Sequence, residues 1–179
     1  TMNENKDLLL PGYTRVSHSL EPVYDRNSRI LILGSFPSVK SREQNFYYGH
    51  PQNRFWKLMG RLLKETFPPE YQGKKSILLR HGIALWDVIH SCDIKGSSDQ
   101  SICNVTPMDL ERILQAADIR EIITNGSTAH RLYVKYCRQH TGRDAVKCPS
   151  TSPANAAFTL DRLEKDWGDV LLPLLEAGR

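Results

Sequence analysis

One stretch of the chain gathers the residue types that could do chemistry. Residues 29–57 read RILILGSFPSVKSREQNFYYGHPQNRFWK. An apolar strand, Ile30 to Leu33, runs into Gly34, Ser35 and Pro37. An aromatic cluster follows (Phe46, Tyr47, Tyr48), then a helix opening near the amide Asn53. β-formers that end in Gly-Ser and a proline are how a buried parallel strand hands its chain to a loop at its carboxyl end. Ligands of open α/β sheets bind at that end, so the aromatics, the glycine and Asn53 are expected at the mouth of a pocket. On residue type alone Asn53 reads first as a helix N-cap, since Asn is preferred there.

Charge is placed to match. Lysine and arginine number 24 against 20 acids, a net +4 that says little by itself. From Lys40 to Lys64, however, six basic residues (Lys40, Arg42, Arg54, Lys57, Arg61, Lys64) face one acid, Glu43, and a second basic stretch runs from Arg131 to Lys147. Such runs are usually solvated helix faces. Beside a pocket mouth they would form the footprint of a polyanion.

The elements that must position these residues alternate. Phe55, Met59, Leu62 and Leu63 fall at helical spacing up to Pro68-Pro69, and Lys74 to Arg80 is a short helix. Ile83 to Ile89 reads as a second strand, and Ser91 to Asn104 as a polar, mobile surface loop. Thr106-Pro107-Met108-Asp109 carries a cap, a first-turn proline and an acid, which predicts a helix buried through Leu110, Ile113, Leu114 and Ala117. Glu121 to Thr124 is a third strand leading through Asn125-Gly126-Ser127-Thr128 into a helix, a turn of the kind that can receive an anion on backbone N–H groups. Ala145 to Cys148 is a fourth strand, Pro149 to Asn155 a loop, and Leu160 to Leu174 a closing amphipathic helix. Residues 1–28 are expected to wrap the surface mostly as loop, and 29–179 to form a single domain. Strands alternating with helices predict an α/β protein, a parallel sheet of about four strands with helices on both faces, whose Ser/Gly/Pro/Asn-rich loops line one site.

Several chemistries are set aside. Gly73-Lys74-Lys75-Ser76 is not a phosphate-binding P-loop, Gly34-Ser35-Phe36-Pro37-Ser38 is not a hydrolase nucleophile elbow, and the dinucleotide fingerprint is absent. Cys92, Cys103, Cys137 and Cys148 have no paired-ligand spacing and no His-Glu-x-x-His occurs, so no metal site is expected. No apolar run approaches the roughly 18 to 20 residues that span a bilayer. The N-terminus lacks the layout of a secretory signal, so a cytoplasmic protein without membrane contact is expected.

Three motifs together carry a resemblance. Gly34-Ser35-Phe36-Pro37-Ser38, then Tyr47-Tyr48-Gly49-His50-Pro51-Gln52-Asn53-Arg54-Phe55-Trp56, then Pro149-Ser150-Thr151-Ser152-Pro153-Ala154-Asn155 resemble the uracil-DNA glycosylase superfamily, and within it the hypoxanthine-DNA (deoxyinosine) glycosylase branch. The His-Pro-x-Asn-Arg-Phe-Trp segment is shared with the mismatch-specific uracil glycosylases. The resemblance implies a three-layer α/β/α fold around a four-stranded parallel sheet, no cofactor or metal, and a monomer acting on DNA that contains a damaged base. Mismatch-specific relatives carry a water-positioning Asn where this chain has Phe36, so the pattern moves the catalytic burden to Asn53.

The chemistry suits these residue types. Cleaving an N-glycosidic bond passes through a sugar with oxocarbenium character, as glycoside hydrolysis does. Hydrogen bonds to the departing heterocycle stabilise the charge it gains. Asn53 would hold a water or bond to the base edge, and Tyr48 would stack on the extruded purine. Gly34, Ser35, Phe36, Pro37 and His50 complete the implied base pocket. Ser38, Ser127, Ser150, Thr151, Ser152, Pro153 and Asn155 are the implied DNA contacts, with the 150–155 loop entering the duplex near the lesion. No lysine is placed as a Schiff-base nucleophile, so a monofunctional glycosylase active in base excision repair is expected, nucleoid-associated if the cell is bacterial or archaeal. Two alternatives stay open: a uracil or mismatch glycosylase of the same superfamily, and a non-catalytic nucleic-acid binding module.

Overall fold

A computed structural model of the chain describes residues 9–178. Along it run β1 (Thr14–Ser17), β2 (Ile30–Gly34), α1 (Val39–Gln44), α2 (Phe55–Leu63), α3 (Tyr71–Arg80), β3 (Ile83–Asp87), β4 (Ile89–Ile94), β5 (Cys103–Pro107), α4 (Glu111–Ala116), β6 (Glu121–Asn125), α5 (Ser127–Leu132), α6 (Arg138–Thr141), β7 (Val146–Cys148) and α7 (Leu160–Ala177). β2 is the hub. It pairs in parallel with β3 on one side and β6 on the other, and β7 extends the sheet to the order β3-β2-β6-β7, all parallel. All five residues of β2 are buried, the signature of a strand covered on both faces.

Helices flank this sheet in the three-layer α/β/α arrangement the sequence predicts. α2 turns Phe55, Leu58, Met59, Leu62 and Leu63 inward, and α7 does the same with Leu163, Trp167 and Leu171. The two helices pack on each other, Phe55 lying edge-on to Trp167 with ring centroids 6.4 Å apart. Fully burying side chains of this size stabilises a fold by about 1.5–3 kcal/mol each, so this helix pair anchors the loop that precedes α2.

Three expectations need correction, and all concern one feature. Ser91 to Asn104 is not all surface loop: β4 and β5 run into it from either end and, with β1 from the mostly loop-like N-terminal segment, form a second, antiparallel sheet in the order β1-β4-β5. The chain leaves the parallel sheet at Val88, whose N–H donates to the Gly34 carbonyl at 2.8 Å, so Ile83 to Ile89 is not one strand but the whole of β3 and the start of β4. What hides this sheet is its polarity. Buried Ser91 and Asp93 are satisfied by Arg15 of β1, which donates to Asp93 at 3.2 Å and Ser91 at 3.0 Å. Thr106-Pro107 does not start a helix either. Pro107 ends β5 opposite Ile89, and α4 begins at Glu111, because strand pairing outcompetes a capping signal that is only local. The first eight residues of the expected N-terminal wrap lie outside the described residues.

Candidate active site

The carboxyl ends of β2, β3, β6 and β7 open onto one cavity of about 810 Å³. Its lining includes Gly34, Ser35, Phe36, Pro37, Ser38, Tyr48, His50, Asn53, Ser127, Ser150, Thr151, Ser152, Pro153 and Asn155. Every residue the sequence marked thus reaches the same space, from loops as far apart in the chain as those of Gly34 and Asn155. The lining also holds Asp87 and Asn125, from the ends of β3 and β6, and Gly96 and Ser97 from the β4–β5 connection.

Asn53 has a defined orientation. The Phe55 backbone N–H donates to its Oδ1 at 2.9 Å, and a backbone N–H can only donate, which distinguishes the amide oxygen from the nitrogen. Asn125 is fixed the same way, because Thr151 N–H donates to Asn125 Oδ1 at 3.0 Å. Asn125 Nδ2 then donates to Thr151 Oγ1 at 3.0 Å, and the Thr151 hydroxyl donates to Asn53 Oδ1 at 2.9 Å. With Thr151 fully buried, this chain locks β6, the 150–155 loop and Asn53 together. It also occupies both acceptor positions of the Asn53 oxygen. Asn53 Nδ2 has no partner among the described residues, so a donor is what this side chain offers the cavity.

Gly34 sits beneath a second polar group. A Cβ at this position would lie 2.5 Å from Asp87 Oδ1 and 3.1 Å from Tyr48 Oη, so carboxylate and phenol converge over the bare glycine backbone. Burial pushes the Tyr48 hydroxyl far above the usual phenol range and the Asp87 carboxylate adds to it, against a small opposing effect of Asn125. Tyr48 therefore stays a proton donor, and its buried hydroxyl makes no hydrogen bond of good geometry. One face of its ring is stacked on Phe55, with centroids 4.1 Å apart. Tyr47 is the packed member of the pair, buried and donating to the Glu21 carbonyl at 2.8 Å. Gly34→Ala is expected to lower stability by about 1–3 kcal/mol through overpacking, seen as a lower urea midpoint with an unchanged slope.

Several marked residues also have structural work. Ser38 caps α1 by accepting from Ser41 N–H at 3.1 Å, and His50 braces its turn by accepting from Gln52 N–H at 3.1 Å. Ser150 accepts from Ser152 N–H at 3.1 Å, and its carbonyl takes Asn155 Nδ2–H at 3.0 Å. The basic footprint shrinks on inspection. Arg54 points inward and donates to the carbonyls of Thr151, Ser152, Asn155 and Phe158. Arg61 pairs with Asp161 and Glu164, Lys40 with Glu43, and Arg42 lies over the Phe36 ring. Lys57 and Lys64 are left exposed, and Lys147 lines the cavity. Burial pushes Cys92 and Cys137 up to about 11 and Cys148 up to about 12, so these thiols are not nucleophiles.

Comparison with known proteins agrees with this geometry. A protein named hypoxanthine DNA glycosylase from Methanosarcina acetivorans is 34% identical over 154 residues, spanning 85% of this chain and 96% of the relative. A protein of the same name from Methanosarcina barkeri is 43% identical over 82 residues, 45% of this chain and 52% of the relative. A solution NMR structure of a Methanosarcina acetivorans protein, whose name places it among uracil DNA glycosylases, matches with a TM-score of 0.76 at 32% identity. It covers 90% of this chain and 99% of its own. The model of the uracil DNA glycosylase superfamily matches residues 21–171, a span that runs from Glu21 to Leu171 and contains every loop that meets at the cavity; the chain belongs to that superfamily.

Proposed function

We propose that this protein is a monofunctional DNA glycosylase that hydrolyses the N-glycosidic bond of deaminated purine, hypoxanthine first, and leaves an abasic site for base excision repair. The observation that carries this reading is the likeness to a relative named hypoxanthine DNA glycosylase over 96% of its length. The cavity supports it. Asn53 Nδ2 is a donor for an acceptor atom of the departing ring, where it stabilises the charge that develops as the bond to the sugar breaks. Asp87 Oδ1 is an acceptor for a ring N–H, which hypoxanthine carries at N1 and adenine does not. Tyr48 supplies the aromatic surface beside them, and the backbone N–H groups of Ser35 and Phe36 lie at the base edge. The 150–155 loop, stiffened by Arg54 and two prolines, enters the duplex at little ordering cost. No metal or cofactor takes part, and the protein acts as a monomer in the cytoplasm.

A duplex with a mispaired deoxyinosine costs less to open than a Watson–Crick pair, so mispaired lesions are preferred substrates. The test is alkaline-revealed strand cleavage of labelled duplexes carrying one deoxyinosine, beside deoxyuridine and undamaged duplexes. Cleavage at deoxyinosine is expected. Cleavage at deoxyuridine alone would replace the purine reading by the uracil one, and tight retention of the lesion duplex without cleavage would make the protein a binding module.

A further inference from the structure

One side chain behind the cavity comes from outside the span matched by the superfamily. His18 lies at the end of β1, ahead of residue 21 where the match begins. Its backbone is held on both sides. β1 is zipped to β4 as far as Ser17 opposite Ser91, and His18 N–H then donates to the His90 carbonyl at 2.7 Å. Further on, Val23 exchanges backbone hydrogen bonds with Leu85 in both directions, at 3.0 and 2.9 Å. Between these clamps the imidazole is buried, its side chain only 2% exposed, with Phe36 edge-on at 6.0 Å and Tyr47 at 6.2 Å.

The hydrogen bonds of the ring fix where its proton sits. Leu20 N–H donates to His18 Nδ1 at 3.3 Å, so Nδ1 is the acceptor and Nε2 carries the proton. Nε2–H donates to Asp87 Oδ2 at 2.7 Å. That leaves Asp87 Oδ1, over Gly34, without a partner among the described residues and facing the cavity.

We propose that His18 is a positioning residue of the base pocket, holding one oxygen of Asp87 so that the other is aimed at a ring N–H of the bound base. The N-terminal segment is on this account part of the glycosylase machinery. The inference rests on the deaminated-purine reading above. An aspartate carboxylate turns freely about its last torsion. One tied at a single oxygen presents the second in a fixed place, and the ordering is done before the base arrives. A donor that only pinned the segment to the sheet would need no such aim, since β1–β4 pairing and the Val23–Leu85 bridge already pin it.

The test compares His18→Phe, which keeps an aromatic ring and removes the donor, with His18→Gln, which restores an N–H of similar reach. Single-turnover excision from a deoxyinosine duplex and the thermal midpoint are measured for both, for Asp87→Asn, and for His18→Phe with Asp87→Asn. His18→Phe is expected to slow excision by about tenfold or more, the range for losing a hydrogen bond to a charged group. His18→Gln is expected to recover most of that rate. In the Asp87→Asn background His18→Phe should have no further effect, because the two residues act through one carboxylate. Where His18→Phe does not fold, His18→Gln and His18→Asn carry the comparison, since the shorter amide falls short of Asp87. An unimpaired His18→Phe, effects that multiply with Asp87→Asn, or a His18→Gln as slow as His18→Phe would each overturn the proposal. A wild type that excises no deoxyinosine sinks the functional reading and this inference with it, whereas an active wild type with an unimpaired His18→Phe sinks this inference alone.

Discussion

Asn53→Ala is expected to slow excision of hypoxanthine by about a hundredfold or more, the usual loss when one preorganised donor to a developing charge is removed. The truncation also removes the acceptor of Phe55 N–H and of the Thr151 hydroxyl, so it should cost about 1 kcal/mol of stability as a lost cap does. Asn53→Asp separates the two effects. A carboxylate accepts both of those hydrogen bonds as well as an amide does. It places an acceptor where Asn53 has Nδ2. Asn53→Asp should therefore melt close to the wild type and yet be as slow as Asn53→Ala in single-turnover excision. A wild-type rate for Asn53→Asp would mean that this position works as an acceptor, ordering or activating water, and the donor role would be wrong.

The amide's dual position explains what residue type alone could and could not say about it. Asn53 stands one residue before Arg54, the N-cap of α2, and its oxygen accepts from Phe55 N–H, so its structural role uses the amide oxygen and its functional one the other end of the same side chain. Which end faces the cavity depends on Thr151 and Asn125, and the link to Thr151 spans 98 residues. Asp87 and His18, 69 residues apart, were illegible for the same reason. An aspartate at the end of an apolar strand and a histidine in a loop-like segment become a pair only when β1 and β3 are brought to one place. The parallel strands were legible because burial on both faces leaves a continuous apolar run, as in Ile30 to Leu33. The antiparallel sheet was not, since β4 buries Ser91 and Asp93 against Arg15 and so breaks the alternation that would reveal it.

Arg54 carries the second large effect, and it tests whether charge near the cavity works inward or outward. Its guanidinium donates to four carbonyls of the segment 151–158, while Trp167 Nε1–H holds the Pro149 carbonyl at 2.8 Å. The segment has little regular hydrogen bonding of its own, so these donors set its shape. Hydrogen bonds from a charged group contribute about 1.5–3 kcal/mol each, and water recovers part of that when the loop opens. Arg54→Met should thus lower stability by about 2–4 kcal/mol, speed hydrogen exchange of amides 150–158, and abolish most excision. Arg54→Lys should rescue little, because an ammonium lacks the planar fork that reaches several carbonyls at once. Lys57→Met is the contrast: Lys57 is exposed on the adjoining helix, so its loss should leave stability within about 0.5 kcal/mol and reduce the salt dependence of duplex binding by about one charge. If Arg54→Met instead behaves like Lys57→Met, with intact stability and a weaker salt dependence, the arginine serves the phosphates directly and the loop holds its shape without it.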